Sequence, residues 1–219
     1  MTILKLKNNI PLLLLSLLPA AFVAGPLIVE FIINFLILLF LYNCKKSKKF
    51  FFLKKKVFIF FLFFYIYLFF NFLFSNFFDE SALNIFSYVR FIFFPFAVFD
   101  ILTKNEKNLK FLFLVLSVTI FIVVLDGYYQ FIFGENSLGF KKYRVDRISG
   151  FFKEDLVLGS FLSRLLPLFL GIMLFYKNNL KLTIINLTIF LLTFTLILLT
   201  GEISSFLTAS LGLIIIIFQ

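Results

Sequence analysis

Two arginines stand inside runs that are otherwise apolar: Arg164 in "VLGSFLSRLLPLFLG" and Arg90 in "YVRFIFFPFAVF". A guanidinium at the centre of a membrane helix costs roughly 2.5 to 3.5 kcal/mol on insertion scales, less where the long side chain can reach the interface. Each arginine is followed by a proline, Pro95 or Pro167. A proline removes one helical hydrogen bond and so frees the carbonyls of Phe91 and Ser163. Ser160 lies one turn before Arg164 on the same helix face and extends it into a short polar stripe. A planar, permanently charged fork matches the oxygens of a phosphate, and two such forks at similar depth suit a phosphate carried by a lipid whose tail stays in the bilayer. Snorkelling of each arginine to the headgroups is the competing reading.

Group transfer to a hydroxyl also needs a proton acceptor. The acids that fall on the same side as these arginines are Asp79, Glu80, Asp126, Asp155 and Glu202. Solvation of the membrane interface accounts for most such acids, and Glu202, at the terminus of an apolar run, is the one singled out for catalysis. The chain has no histidine and a single cysteine, Cys44. No metal site is therefore expected, and no cofactor motif is present: there is no G-x-x-x-x-G-K-[ST] and no G-x-G-x-x-G.

The elements that must carry these residues are membrane helices. The chain has 219 residues, 62% of them hydrophobic, with 39 Phe and no Trp, more apolar surface than a soluble domain of this size can hide. Runs of about 17 to 25 apolar residues recur without the alternation of a barrel strand. The expectation is an all-α polytopic transmembrane bundle of about eight spans, near 10–24, 26–43, 57–74, 84–102, 111–125, 156–175, 182–199 and 203–218, forming one transmembrane domain over 1–219. Gly25-Pro26 fits either a tight hairpin or a broken helix. Met1 to Gly25 has the basic start of a signal peptide but no small-x-small cleavage site, which favours a retained first helix.

The formal charge of +10 sits in short clusters between spans, the pattern of retained cytoplasmic loops and not of a nucleic-acid surface. Alternate breaks hold Lys5 and Lys7; Lys45, Lys46, Lys48, Lys49, Lys54, Lys55 and Lys56; Lys104, Lys107 and Lys110; and Lys177 and Lys181. These are 14 of the 21 basic residues, and they place the N-terminus in the cytoplasm. The opposite breaks hold Glu30, Asp79, Glu80 and Glu202. They also hold a longer loop, 126–155, in which Lys141, Lys142, Arg144, Arg147 and Lys153 alternate with acids and aromatic rings. This loop reads either as a passive interfacial segment or as a basic lip for an anionic head group.

Three segments carry a family resemblance: "DGYYQFIFG" (Asp126 to Gly134), "RISGFFKEDLVLGSFLSRLLPL" (Arg147 to Leu168) and "LTGEISSFL" (Leu199 to Leu207). Together they resemble the O-antigen ligase and O-antigen polymerase superfamily of bacterial envelope glycosyltransferases. In that superfamily a loop R-x-[ST]-G-x-F introduces a span and a later [ST]-G-E-R opens another. The resemblance implies an enzyme of the bacterial inner membrane that takes a glycan from undecaprenyl pyrophosphate at the periplasmic face without metal or cofactor. It implies Arg90, Arg147 and Arg164 as phosphate ligands, with Ser160 and Gly150 supporting. Ile203 stands where the family has an arginine after Gly-Glu, and the family's histidine-bearing loop has no counterpart here. The resemblance therefore casts the chain as the N-terminal portion of a fold of about twelve spans, with the remainder on a longer product or a second chain. A transporter or flippase for an anionic lipid or solute, and an inactive structural membrane subunit, are the alternative readings.

Overall fold

The computed structural model describes residues 3–48, 50–74, 78–143, 147–175 and 180–218. Lys49, Arg144, Asp146 and Lys177 lie outside the described residues, as do the side chains of Lys5, Lys7, Asp79 and Glu80. Among the described residues every regular element is a helix, with one isolated antiparallel bridge between Glu135 and Lys141 in the loop after the fifth α-helix. It divides into two compact units, Met1–Lys110 and Phe111–Gln219.

The first unit contains α1 (Ile3–Ala24), α2 (Pro26–Ser47), α3 (Lys56–Leu73) and α4 (Phe78–Thr103). Gly25, with φ 140°, separates α1 from α2, and Pro26 opens α2 in the first-turn position where no N–H is missed. The two helices pack against each other across this one-residue break. The lysine-rich connection after α2 is not a plain loop. It folds into a short 3-10 turn, Phe51–Lys54, that drives Phe52 into a core with Phe40, Cys44, Phe96 and Ala97. Phe52 meets Phe58 at 5.3 Å and Phe40 at 5.5 Å between ring centroids, within the range of favourable aromatic pairs. Helix α3 packs against α4, with Phe58 meeting Phe93 and Phe96, and its less exposed residues are Phe58, Phe61, Tyr65, Leu68 and Phe72. That three-four spacing is a narrow seam of coiled-coil type, and the remaining rings of α3, from Phe60 to Phe70, face outward as hydrocarbon requires.

The second unit contains most of α5 (Glu106–Phe133), then α6 (Leu158–Phe175), α7 (Leu180–Leu199) and α8 (Ile203–Ile217). Leu112, Leu116, Ile120, Val123, Val124, Gly127 and Gln130 are buried along one face of α5. The residues Asp126–Phe133, read from the sequence as the beginning of a loop, continue this helix. Two glycines set close approaches. A Cβ at Gly127 would lie 2.7 Å from Leu196 Cδ2, and one at Gly212 would lie 2.5 Å from Pro167 Cγ. The proline of α6 thus packs into a gap that only glycine leaves on α8.

The expectation of eight spans is corrected. Among the described residues five helices are long and apolar enough to cross a membrane: Pro26–Ser47, Lys56–Leu73, Glu106–Phe133, Leu158–Phe175 and Leu180–Leu199. Ile10–Ala24, the C-terminal part of α1, and Ile203–Ile216 are apolar but shorter than these; at 1.5 Å per residue Ile203–Ile216 reaches roughly 20 Å against about 30 Å of hydrocarbon. The span expected near 84–102 falls on α4, which is not among the five.

Candidate functional site

The polar residues of the second unit are joined across three stretches of chain. The first junction is at the start of α6, where the first-turn amides of any helix lack partners within it. Glu202, eight per cent exposed, supplies them. Gly159 N–H donates to Oε1 at 3.0 Å, and Ser160 N–H donates to Oε2 at 3.0 Å. The hydroxyls of Ser160 and Ser205 also donate to Oε2, at 2.9 and 2.6 Å. A carboxylate at this end of a helix meets the positive pole of its dipole, so charge and hydrogen bonding act together. Glu202 is simultaneously the residue preceding α8, where its own carbonyl accepts the N–H of Ser205 and Phe206. Gly201, at φ 70°, makes the turn that allows this. Gly159 leaves the room: a Cβ there would lie 2.6 Å from Thr200 Oγ1 and 2.9 Å from Glu202 Cδ.

The second junction fastens the loop after α5. Asp126 and Gln130 are one turn apart and both buried. Gln130 Oε1 accepts the N–H of Ser149 at 2.9 Å and of Gly150 at 2.7 Å, while its Nε2 donates to the Phe140 carbonyl. Asn136 donates through Nδ2 to the Gly150 carbonyl at 3.0 Å and accepts the N–H of Leu138 and Phe140 on Oδ1. Asp126 Oδ1 accepts both the N–H and the hydroxyl of Ser137. The Asp126 Oδ2 and Ser149 Oγ atoms are buried without a partner among the described residues. Gly150, at φ 55°, turns the chain over Asp126; a Cβ there would stand 3.3 Å from Oδ2.

Above this anchor Phe140, Lys141, Lys142 and Tyr143 face Phe152, Lys153, Glu154 and Asp155 across a cleft of about 580 Å³. The Lys153 ammonium lies 5.1 Å from the centre of the Phe140 ring. The Lys142 ammonium donates to the Phe131 carbonyl at 3.0 Å and lies 5.2 Å from that ring's centre.

The arginines named from the sequence have different surroundings. Arg90, on α4 of the first unit, pairs with Glu30 of α2 and lies over the Phe91 ring, and its Nε is buried without a partner among the described residues. Arg164 is exposed on α6, six residues after Leu158 and roughly 9 Å along the helix. Arg147 is half-exposed and immediately precedes the buried run Ile148 to Gly150. Neither Arg147 nor Arg164 makes an ion pair with a described residue. Of the residues singled out from sequence, Ser160 and Glu202 are in contact, and Gly150 is held by Gln130 and Asn136. Gln130 and Asn136 were not anticipated. The available signal was the i, i+4 spacing of Asp126 and Gln130, which only a helix converts into one face. The described residues contain no group of three or more His, Cys, Asp or Glu side chains placed to hold a metal.

In comparisons with protein families, with curated proteins and with solved structures, the chain matches no family model, no curated protein and no solved structure.

Proposed function

We propose that the chain is a membrane glycosyltransferase of the ligase and polymerase kind, acting on a glycan carried by undecaprenyl pyrophosphate at the outer face of a bacterial inner membrane. One observation carries this reading: the three segments that suggested it make contact within a single unit. Gln130 of the first segment holds Ser149 and Gly150 of the second, and Glu202 of the third caps the helix into which the second leads.

In this reading Arg147 and Arg164 hold the pyrophosphate, because their guanidiniums are not engaged by a carboxylate of the described chain. Bidentate contacts to its oxygens would stabilise the charge that grows on the leaving group as a hydroxyl of the acceptor glycan bonds to the sugar's anomeric carbon, the sugar–phosphate bond breaks and the hydroxyl proton passes to water. Glu202 is a positioning residue: both its oxygens are occupied in fixing the start of α6, from which Ser160 and Arg164 project. Arg90, already paired with Glu30, is the member of the trio least suited to a phosphate.

The test is release of undecaprenyl pyrophosphate from a lipid-linked glycan by the full chain in vesicles, with Arg147→Ala and Arg164→Ala compared. Each replacement is expected to lower release at least tenfold, with lysine restoring only part because it cannot bind bidentately. Unchanged release in both variants overturns the phosphate assignment. The intramembrane Glu30–Arg90 pair favours a second reading, a carrier for an anionic lipid or solute. That reading predicts flux of a fluorescent anionic lipid across the vesicle bilayer without any chemical change.

A further inference from the structure

Lys153 has backbone angles of φ 58° and ψ −113°. Side chains other than glycine meet a steric penalty in that region, of a size that persists only where the surroundings impose it. The surroundings here are firm. Phe152, just before it, donates its N–H to the Ser149 carbonyl and rests on Phe161 at 5.3 Å, and Ser149 is itself held by Gln130. The opposite wall is fixed equally, since Phe140 exchanges hydrogen bonds with Asn136 through both its N–H and its carbonyl. The strained turn places the Lys153 ammonium over the Phe140 ring, on the solvent-open wall of the cleft.

The lining chemistry selects the ligand. The cleft of about 580 Å³ lies within the usual size of a small-molecule site, roughly 300 to 1,000 Å³. Its walls alternate rings with donors and acceptors: Phe140, Tyr143 and Phe152 offer apolar faces, Lys141 and Lys153 offer donors, and Glu154 and Asp155 offer acceptors. A bare phosphate would gain from the lysines but be opposed by the two carboxylates. A sugar ring presents apolar C–H faces to the rings and hydroxyls to the carboxylates, and one negative charge on that sugar answers the excess of three lysines, Lys141, Lys142 and Lys153, over the two carboxylates.

We propose that this cleft is a binding site for an anionic saccharide, a pyranoside bearing a carboxylate or phosphate, and that Lys153 is its charge-contacting residue, held in a strained backbone for that purpose. The proposal deepens the transferase reading by naming the class of glycan, and it rests on that reading only for what becomes of the bound sugar.

The experiment measures binding to the full chain in detergent by calorimetry, with three probes: a disaccharide containing one glucuronate, neutral maltose, and inorganic phosphate. The uronate disaccharide is expected to bind at least tenfold more tightly than either of the others. Lys153→Gly should weaken it at least tenfold while raising the melting temperature, because glycine relieves the turn. Equal binding of maltose removes the charge requirement, equal binding of phosphate removes the ring requirement, and either result overturns the proposal. So does an unchanged affinity in Lys153→Gly, or a lower melting temperature, which would make the lysine a loop fastener. Absence of transfer with saccharide binding intact removes the transferase reading alone; transfer without saccharide binding removes only this one.

Discussion

Replacing Glu202 by alanine tests the central joint of the second unit. Its carboxylate accepts two backbone N–H groups and two hydroxyls. The hydroxyls of Ser160 and Ser205 already lie 3.1 Å apart and can satisfy each other, so their loss is small. The amides of Gly159 and Ser160 have no such recourse, because they belong to the first turn of α6. A buried donor left unpaired costs about 1 to 3 kcal/mol, and a charged acceptor at a helix start adds roughly 0.3 to 1 kcal/mol through the dipole. Counting the half-buried Ser160 amide at the low end, the expected loss is about 2 to 5 kcal/mol. Glutamine keeps one oxygen for Gly159 but turns an NH2 group toward the Ser160 donors, so Glu202→Gln should cost about half as much. Thermal unfolding in a fixed detergent gives the order of the three proteins. At about 2 to 4 °C per kcal/mol for chains of 150 to 250 residues, the alanine variant should melt roughly 4 to 20 °C lower. Hydrogen exchange adds the local reading: the amides of Gly159 and Ser160 should lose protection in Glu202→Ala. A melting temperature within a degree or two of the parent, with those two amides still protected, would refute the capping argument.

Gly159→Ala should be destabilising by about 1 to 3 kcal/mol in the same unfolding assay, since its methyl would meet Thr200 Oγ1 and the Glu202 carboxylate. Gln130→Leu removes a buried acceptor shared by two amides and the donor to Phe140. It should release the loop, seen as at least tenfold faster tryptic cleavage at Lys141 and Lys153 while the helix content by circular dichroism is unchanged. Glu30→Gln leaves Arg90 without its counter-charge and should lower the melting temperature, and Glu30→Arg combined with Arg90→Glu should recover most of the loss. A double exchange no better than the single changes would remove the pair as a contact that matters.

The helices were legible because hydrocarbon demands long apolar runs, and α2, α3, α6 and α7 lie close to where those runs suggested. What the runs conceal is which polar residues lie within a helix and which lie beyond it. Asp126 to Phe133 carries Asp, Gly and Gln, a composition that reads as a turn. It stays helical because Asp126 and Gln130 spend their polar atoms on Ser137, Phe140, Ser149 and Gly150 further along the chain. Phe52 was hidden in the same way, as one ring among lysines whose partners are on α2, α3 and α4. Of the site, Ser160 and Glu202 were named separately, the first for its place beside Arg164 and the second as an acid at a span end. Nothing local indicates that one residue holds the other from 42 positions away. The same separation hid Glu30 from Arg90: the pairing belongs to tertiary structure, and the spacing of neither residue encodes it.

The Glu202 cap has a bearing on biogenesis. Helix α6 begins at Leu158, yet the group that completes its first turn is made 44 residues later, after α7 and at the threshold of α8. At about 5 to 20 residues per second of synthesis, α6 leaves the ribosome roughly 2 to 9 seconds ahead of its own terminator. During that interval its leading amides must find water or lipid headgroups, so the segment is held at the bilayer rim until the following hairpin arrives. The order of translation thus sets when α6 can take its final depth, and a nascent chain arrested before residue 202 would keep that turn open to solvent.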